Sequence, residues 1–269
     1  MSTPIAPSVT ISDKHKQQFR EEGYFVLYNV LTQPMLQMLQ SECEHFIVQK
    51  DRELDRAGTS NMLLTRKGKR YFIHGLRRQS PQLWRFIFSD LVASICRATL
   101  GNYVQLINEQ WVVKCARQGL AFGWHQDSGY ARFAFPESQH KPFLSCWTTL
   151  DDVDEANGTI FLLPHSEAGT RNKILEHYKD PVTQDLVGYN GKETGIPVVA
   201  PAGSIAVFSS TTLHRSSANK SDATRRAYLT QYTAEPIRQA DGKLARQGVP
   251  FLVDGLNVYD PILDEIMGN

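Results

Sequence analysis

Three residues in this chain have the types and the spacing of a metal-holding face. His125 and Asp127 stand two apart in Phe122-Gly123-Trp124-His125-Gln126-Asp127-Ser128-Gly129, and His214 follows far downstream in Thr212-Leu213-His214-Arg215-Ser216. In extended backbone, residues i and i+2 point to the same side, so His125 and Asp127 can reach one ion while Gln126 points away. The third ligand must then come from another strand, which accounts for the long gap. Two imidazoles and one carboxylate on one face suit ferrous iron and leave other positions open for substrate, cosubstrate and oxygen. On their own, the three residues equally allow zinc or a chance cluster.

A fourth residue narrows the choice. Arg225, in Thr224-Arg225-Arg226-Ala227-Tyr228-Leu229, lies eleven residues beyond His214 and enters an apolar stretch. A guanidinium binds a carboxylate through two parallel charge-assisted hydrogen bonds. A dicarboxylate that chelates iron by its 2-oxo acid end needs such an anchor at its far end. Arg225 and Arg226 are adjacent, so on a strand only one of them can face inward.

With these residues in place, the chain resembles the phytanoyl-CoA dioxygenase family of iron(II)/2-oxoglutarate oxygenases. The resemblance runs from about Asp13 to Thr233. Its marks are Phe19-Arg20-Glu21-Glu22-Gly23-Tyr24-Phe25-Val26-Leu27, Trp124-His125-Gln126-Asp127, Trp147-Thr148-Thr149-Leu150-Asp151-Asp152, Asn157-Gly158-Thr159-Ile160, Leu163-Pro164-His165-Ser166 and His214 with Arg225. The pieces are short, and their order and spacing carry the match. The resemblance implies that His125, Asp127 and His214 ligate the iron. It implies that Arg225 holds the distal carboxylate of 2-oxoglutarate beside the Ser216 hydroxyl, that Gln110 contacts the cosubstrate and that Trp147 walls the same pocket. Lys114 matches a polar position whose role varies in the family, and His165 matches a loop histidine expected to be structural. One departure is Arg215-Ser216-Ser217, where relatives often have a small-residue turn with glycine. Related halogenases replace the carboxylate ligand by a small residue, so the intact Asp127 argues for hydroxylation.

The elements that must position these residues follow from patterning. Ser12 caps a helix over Asp13–Glu22 that ends at Gly23, followed by a short strand over Tyr24–Tyr28. Thr32 opens a second helix carrying Met35, Leu36, Leu39, Cys43, Phe46 and Ile47 at helical spacing. Asp51–Arg70 reads as a polar loop, and Ser80-Pro81 starts a third helix running to about Leu100. After Gly101 the pattern turns to strands: Val104–Cys115, Phe143–Leu150, Thr159–Leu163, Ile196–Val199, Ser204–Phe208 and Arg226–Tyr232. Helices first and many short strands afterwards predict a mainly β fold with flanking helices and a double-stranded β-helix (jelly-roll) core. We expect one domain over 1–269, helical over about 11–100, jelly-roll over about 101–235, with a tail over 236–269. Residues 1 to 10 read as a loose arm, and 171–193 as a polar insertion.

Composition sets the outer bounds. The 269 residues are 41% hydrophobic and 21% charged with a net charge of +1, an ordinary globular balance that gives no case for nucleic acid or an anionic membrane. The four cysteines form no Cys-x-x-Cys pair, and Met1–Pro7 lacks the regions of a signal peptide. A cytoplasmic protein, monomeric or homodimeric, is expected. The expected reaction is hydroxylation of an unactivated C–H in a small molecule. It would use iron(II), 2-oxoglutarate and oxygen, with ascorbate as an aid in vitro, and would release succinate and carbon dioxide. Desaturation and ring closure are variants on the same site. The competing classes are a non-catalytic metal-bearing jelly-roll that senses a ligand, and a zinc hydrolase, which would not explain Arg225. Substrate contacts are expected from Tyr130, Gln126 and Arg132 near the ligands. Others are expected from Tyr71 and His74 in the cationic, aromatic stretch Arg70–Arg78, whose Arg77 and Arg78 otherwise read as a solvated pair.

Overall fold

The structure, a computed structural model, describes residues 9–267 apart from 137, 139 and 246. Most of the expected N-terminal arm, residues 1–8, lies outside the described residues.

The N-terminal half builds a helical layer. Helix α1 (Asp13–Glu22) begins at Ser12, whose hydroxyl accepts from the His15 amide, and stops at Gly23 with φ 83°. Gly23 is required twice over, because a Cβ there would also meet the ring of His165 at 2.5 Å. Strand β1 (Tyr24–Leu27) leads to helix α2 (Gln33–Arg56), capped by Thr32. This helix runs well into the segment expected to be a loop. Leu54, fully buried one turn beyond the expected end, gives the extra turns an apolar anchor. The rest of that segment is a hairpin of β2 (Asn61–Met62) and β3 (Thr65–Arg66), which continues into β4 (Arg70–His74). The third expected helix is two, α3 (Pro81–Ile87) and α4 (Asp90–Thr99). Ser89 interrupts it by capping a new start, its hydroxyl accepting from the Val92 amide.

The second half supplies the strands: β5 (Val104–Lys114), β6 (Phe122–His125), β7 (Leu144–Thr149), β8 (Ile160–Leu163), β9 (Tyr178–Lys179), β10 (Leu186–Val187), β11 (Ile196–Pro197), β12 (Ile205–Ser209), β13 (Leu213–Ser216), β14 (Arg225–Thr233), β15 (Val249–Val253) and β16 (Leu256–Asn257). Short helices α5 (Asp127–Ala134), α6 (His165–Ala168) and α7 (Pro261–Met267) lie between or after them. The large sheet has the order β1-β12-β7-β14-β5-β4-β3-β2, and the small sheet β11-β8-β13-β6. Its antiparallel pairs skip along the chain, as in a jelly roll: β12 pairs β7, β7 pairs β14, and β14 pairs β5. The helical layer packs on the outer face of the large sheet through Leu39, Phe46, Leu83, Phe86, Ile95, Trp111 and Tyr228. Each such side chain contributes about 1.5–3 kcal/mol by leaving water.

Two features of the large sheet matter for the site. Strand β5 carries a bulge: Gln231 faces Asn108, but Tyr232 faces Leu106, so Ile107 is the extra residue. The tail is also no loose appendage. β15 extends the sheet by pairing with the first half of β5, and Asp264 of α7 receives Arg77 and Arg78 at 2.8 Å each. Arg77 and Arg78 therefore clamp the C-terminal helix instead of standing as a solvated pair.

Candidate active site

The small sheet brings the separated histidines together. His214 on β13 lies directly opposite His125 on β6. Backbone at Gln126 stays extended (φ −114°, ψ 140°) before α5 begins, so Asp127 turns to the same side as His125. The ligand atoms of His125, Asp127 and His214 all lie within 4.8 Å of one another. His125 Nδ1 contacts the Gly123 carbonyl at 2.8 Å, and His214 Nδ1 the Thr212 carbonyl at 3.1 Å. A carbonyl only accepts, so each Nδ1 carries the proton and each Nε2 presents a lone pair inward. Burial, and next the neighbouring His214, hold His125 well below the ordinary imidazole range, which keeps it a neutral donor.

Asp127 is steadied by a chain of hydrogen bonds. Ser145 donates to Asp127 Oδ2 at 2.5 Å, Gln231 Nε2 donates to Ser145 Oγ at 3.1 Å, and Asn108 Nδ2 donates to Gln231 Oε1 at 3.0 Å. Composition and periodicity did not single out these three residues. Ser145 stands between Leu144 and Cys146, but Asn108 and Gln231 sit among other polar residues of β5 and β14, so the sequence gives little sign of them.

Beside the three ligands lies a cavity of about 290 Å³, mostly apolar in lining. Gln110, Trp147 and Ser216 line it together with His125, Asp127 and His214. Arg225 sits behind Trp147, its guanidinium carbon 5.4 Å from the ring centroid. The arginine is 1% exposed and donates to the carbonyls of Val112 at 3.2 Å and Gly158 at 2.8 Å. Its Nε has no hydrogen-bond partner among the described residues. Burial draws the group down to about 10. Arg226 points the other way, onto Asp151 and Glu44 at 2.7 Å each. Lys114 is adjacent to Arg225 in register and donates to the Ser217 carbonyl. It does not line the cavity.

The expected substrate contacts divide. Tyr130 and His74 line the cavity, and the Tyr130 hydroxyl also accepts from the Leu186 amide. Tyr71 does not: it is 3% exposed on the helical side of the sheet and donates to Asp51. The strand phase places Phe72, not Tyr71, on the cavity face, because side chains alternate along β4. Gln126 is fully buried away from the cavity. Its amide group is taken up by Thr211, Lys173 and Leu175, and its backbone N–H by His177. Arg132 is exposed on α5, outside the wall. Corrected in this way, Gln126 becomes the residue that ties the 171–193 insertion to the segment between two ligands. A second tie is the bidentate pair Arg70–Asp185 at 2.9 and 2.5 Å, both side chains 2% exposed. His165 is buried against Thr211, Thr212 and Gly23, far from a ligand role.

Comparison with known families decides the kinship. Residues 19–227 match the family described as phytanoyl-CoA dioxygenase. This chain belongs to that family. Within curated proteins, the phytanoyl-CoA dioxygenase homologue is similar to an ectoine dioxygenase of Bordetella parapertussis, 26% identical over 232 residues, 78% of this chain and 71% of that one. It is also similar to phytanoyl-CoA dioxygenase domain-containing protein 1 of Danio rerio, 23% identical over 262 residues, 81% of this chain and 88% of that one. Among solved structures, the apoform of EctD from S. alaskensis has a TM-score of 0.65 at 19% identity, covering 92% and 84% of the two chains. The carbocyclase SnoK from nogalamycin biosynthesis has 0.66 at 18% identity, covering 90% of each. At these identities the solved structures establish the shared jelly-roll fold. Among the described residues, no helix is long and apolar enough to cross a membrane.

Proposed function

We propose that this family member is an iron(II)- and 2-oxoglutarate-dependent dioxygenase that hydroxylates an unactivated C–H of a small molecule. The observation that carries the reading is Arg225. A buried guanidinium with an unpartnered Nε, set beside a cavity that ends on two inward Nε2 atoms and a carboxylate, is a place for a dicarboxylate. A zinc hydrolase has no use for it. Two neutral imidazoles and one carboxylate on one face also fit iron(II) by donor type.

In this reading His125, Asp127 and His214 hold the metal, and Arg225 receives the far carboxylate of 2-oxoglutarate with Ser216, Gln110 and Trp147 around it. Bound iron and cosubstrate supply the oxidation, in which 2-oxoglutarate and oxygen yield succinate, carbon dioxide and a hydroxylated product. The chain's own work is positional. The Gly123 and Thr212 carbonyls fix both imidazoles in the ligating tautomer. Ser145 holds Asp127 in one orientation. Phe122, Phe143 and Phe208 exclude water from the cavity. No side chain is required as acid or base.

The relatives' names point to different substrates, ectoine for one and hypophosphite for another, so neither carries over. The test is succinate release by the purified chain with ferrous iron, ascorbate and 2-oxoglutarate across a metabolite library. Substrate-stimulated succinate is expected. No succinate with any candidate, together with no 2-oxoglutarate-dependent iron absorption band, would leave the ligand-sensor reading standing.

A further inference from the structure

The cationic stretch around Arg70–Arg78 suggests a pocket for an anion, and the structure points to the opposite. Every arginine near the substrate half of the cavity is already engaged. Arg70 is held by Asp185, and Arg77 and Arg78 are held by Asp264. Arg215 lays its guanidinium over the Phe161 ring at 3.9 Å and donates to the Thr194 carbonyl. Lys114 donates to the Ser217 carbonyl, and Arg132 is exposed outside the wall. Once 2-oxoglutarate has taken Arg225, the one arginine left in the lining among the described residues is Arg215, which is already stacked on Phe161 and bonded to Thr194. The wall there is Phe72, Ile107, Phe122, Phe135, Phe143 and Ile237.

His74, Asn108, Tyr130 and Gln231 are polar members of the same lining, and the hydrogen-bond chain fixes the character of Asn108. A carboxylate ligand only accepts, so Ser145 must donate to Asp127. The Ser145 oxygen then accepts from the Gln231 amide N–H, and the Gln231 carbonyl accepts from the Asn108 amide N–H. The order leaves Asn108 Oδ1, which has no hydrogen-bond partner among the described residues, at the end of the chain. Asn108 lines the cavity. It offers an acceptor.

We infer that the substrate portion entering this cavity is uncharged and mainly apolar, and carries one hydrogen-bond donor that Asn108 Oδ1 receives. The inference rests on the functional reading above and names its substrate class. A carboxylate or phosphate beside Asn108 would be desolvated against aromatic rings and could gain a counter-charge only by drawing Arg215 from Phe161 and Thr194. A donor placed at Asn108 orients the body against the phenylalanines, with its nearest carbons toward the three ligands.

The test uses the full chain loaded with manganese(II) and saturating 2-oxoglutarate, read by tryptophan fluorescence and calorimetry, with no turnover needed. The probes are an alcohol, its methyl ether and the carboxylate of equal length, each on a phenyl, a cyclohexyl and an indolyl body. On at least one body, the alcohol is expected to bind about tenfold or more tightly than the carboxylate, with the ether between. Asn108→Leu should bring the alcohol to the affinity of the ether and leave the ether where it was. Asn108→Ala serves the same purpose if the larger side chain disturbs folding. Ile237→Arg should raise carboxylate affinity, which locates the probes in this cavity. Carboxylates binding as tightly as alcohols on every body, or no body binding, overturns the inference. An alcohol–ether difference that survives loss of Asn108 overturns the assigned acceptor. The preceding titration reports on the functional reading separately. If 2-oxoglutarate shows no manganese-dependent binding, that reading fails, while the same probe series on the metal-free chain still decides the cavity's preference.

Discussion

Removing the guanidinium of Arg225 is the perturbation that most directly challenges the assigned cosubstrate site. The group is fully buried, gives one N–H each to the Val112 and Gly158 carbonyls, and keeps Nε unpartnered. Loss of a buried charge-assisted pair with a ligand carboxylate costs about 2–5 kcal/mol. At about 1.4 kcal/mol per factor of ten, Arg225→Ala should weaken 2-oxoglutarate binding about 30-fold to several-thousand-fold. The same change takes the Arg225 donor from the buried Gly158 carbonyl at about 1–3 kcal/mol, so the chain will also lose stability. The assay must keep the two effects apart. Binding is measured by calorimetry on the manganese-loaded protein well below its melting midpoint, and stability by urea unfolding without cosubstrate. Arg225→Lys keeps the charge on a point donor and should recover part of the affinity. Arg226→Ala is the control, because Arg226 faces Asp151 and Glu44 on the other side of the strand. If Arg226→Ala weakens the cosubstrate by that margin and Arg225→Ala does not, the site assignment is wrong.

Other expected outcomes follow from the same geometry. Asp127→Ala should abolish succinate release and lower iron affinity by at least about tenfold while far-UV circular dichroism stays unchanged, since the residue begins a short helix and holds no core contact. Asp185→Ala should destabilise the chain by about 3–5 kcal/mol in urea by stranding buried Arg70, and Arg70→Leu combined with Asp185→Leu should recover most of that loss. His165 is drawn by burial from 6.5 to about 4. Above 6.5 neither folded nor unfolded chain protonates it and its contribution is complete. Between 6.5 and 4 the unfolded chain takes up the proton first, so stability falls with pH by at most about 3 kcal/mol. His165→Gln should flatten the pH dependence of the urea midpoint over that window, and an unchanged slope would remove His165 as its source. Tyr71→Phe should leave probe binding unchanged and Phe72→Ala should weaken it, measured by the same fluorescence titration.

Legibility in the sequence depended on whether a signal was local. The cap at Ser12, the stop at Gly23 and the strand periodicities depend on neighbouring residues, and the structure reproduces them closely. That His125 and Asp127 share a side, and that only one of Arg225 and Arg226 turns inward, followed from strand alternation, while the family resemblance supplied His214 and the choice of Arg225. What failed was decided by distant partners. Arg70, Arg77 and Arg78 looked like a cationic pocket because Asp185 and Asp264, which engage them, lie more than a hundred residues away. Gln126 looked like a substrate contact because the insertion that absorbs its amide cannot be seen from the motif. Tyr71 was misplaced by a single step of strand phase, which the mixed polarity of Arg70–His74 does not fix. The relay through Ser145, Gln231 and Asn108 joins three strands, so no linear pattern announces it.

The extra residue in β5 gives this strand a division of labour. Before Ile107, the even-numbered Val104 and Leu106 belong to the core beneath the helices. After it, the odd-numbered Trp111 and Val113 take over that duty, and the even-numbered Asn108, Gln110 and Val112 are released to the cavity. One inserted position thus exchanges the two faces halfway along the strand. Substrate choice at 108 can drift by point mutation without touching the packing that keeps the chain folded. Deleting one residue there would do the reverse, turning the recognition face into the helical layer in a single genetic step.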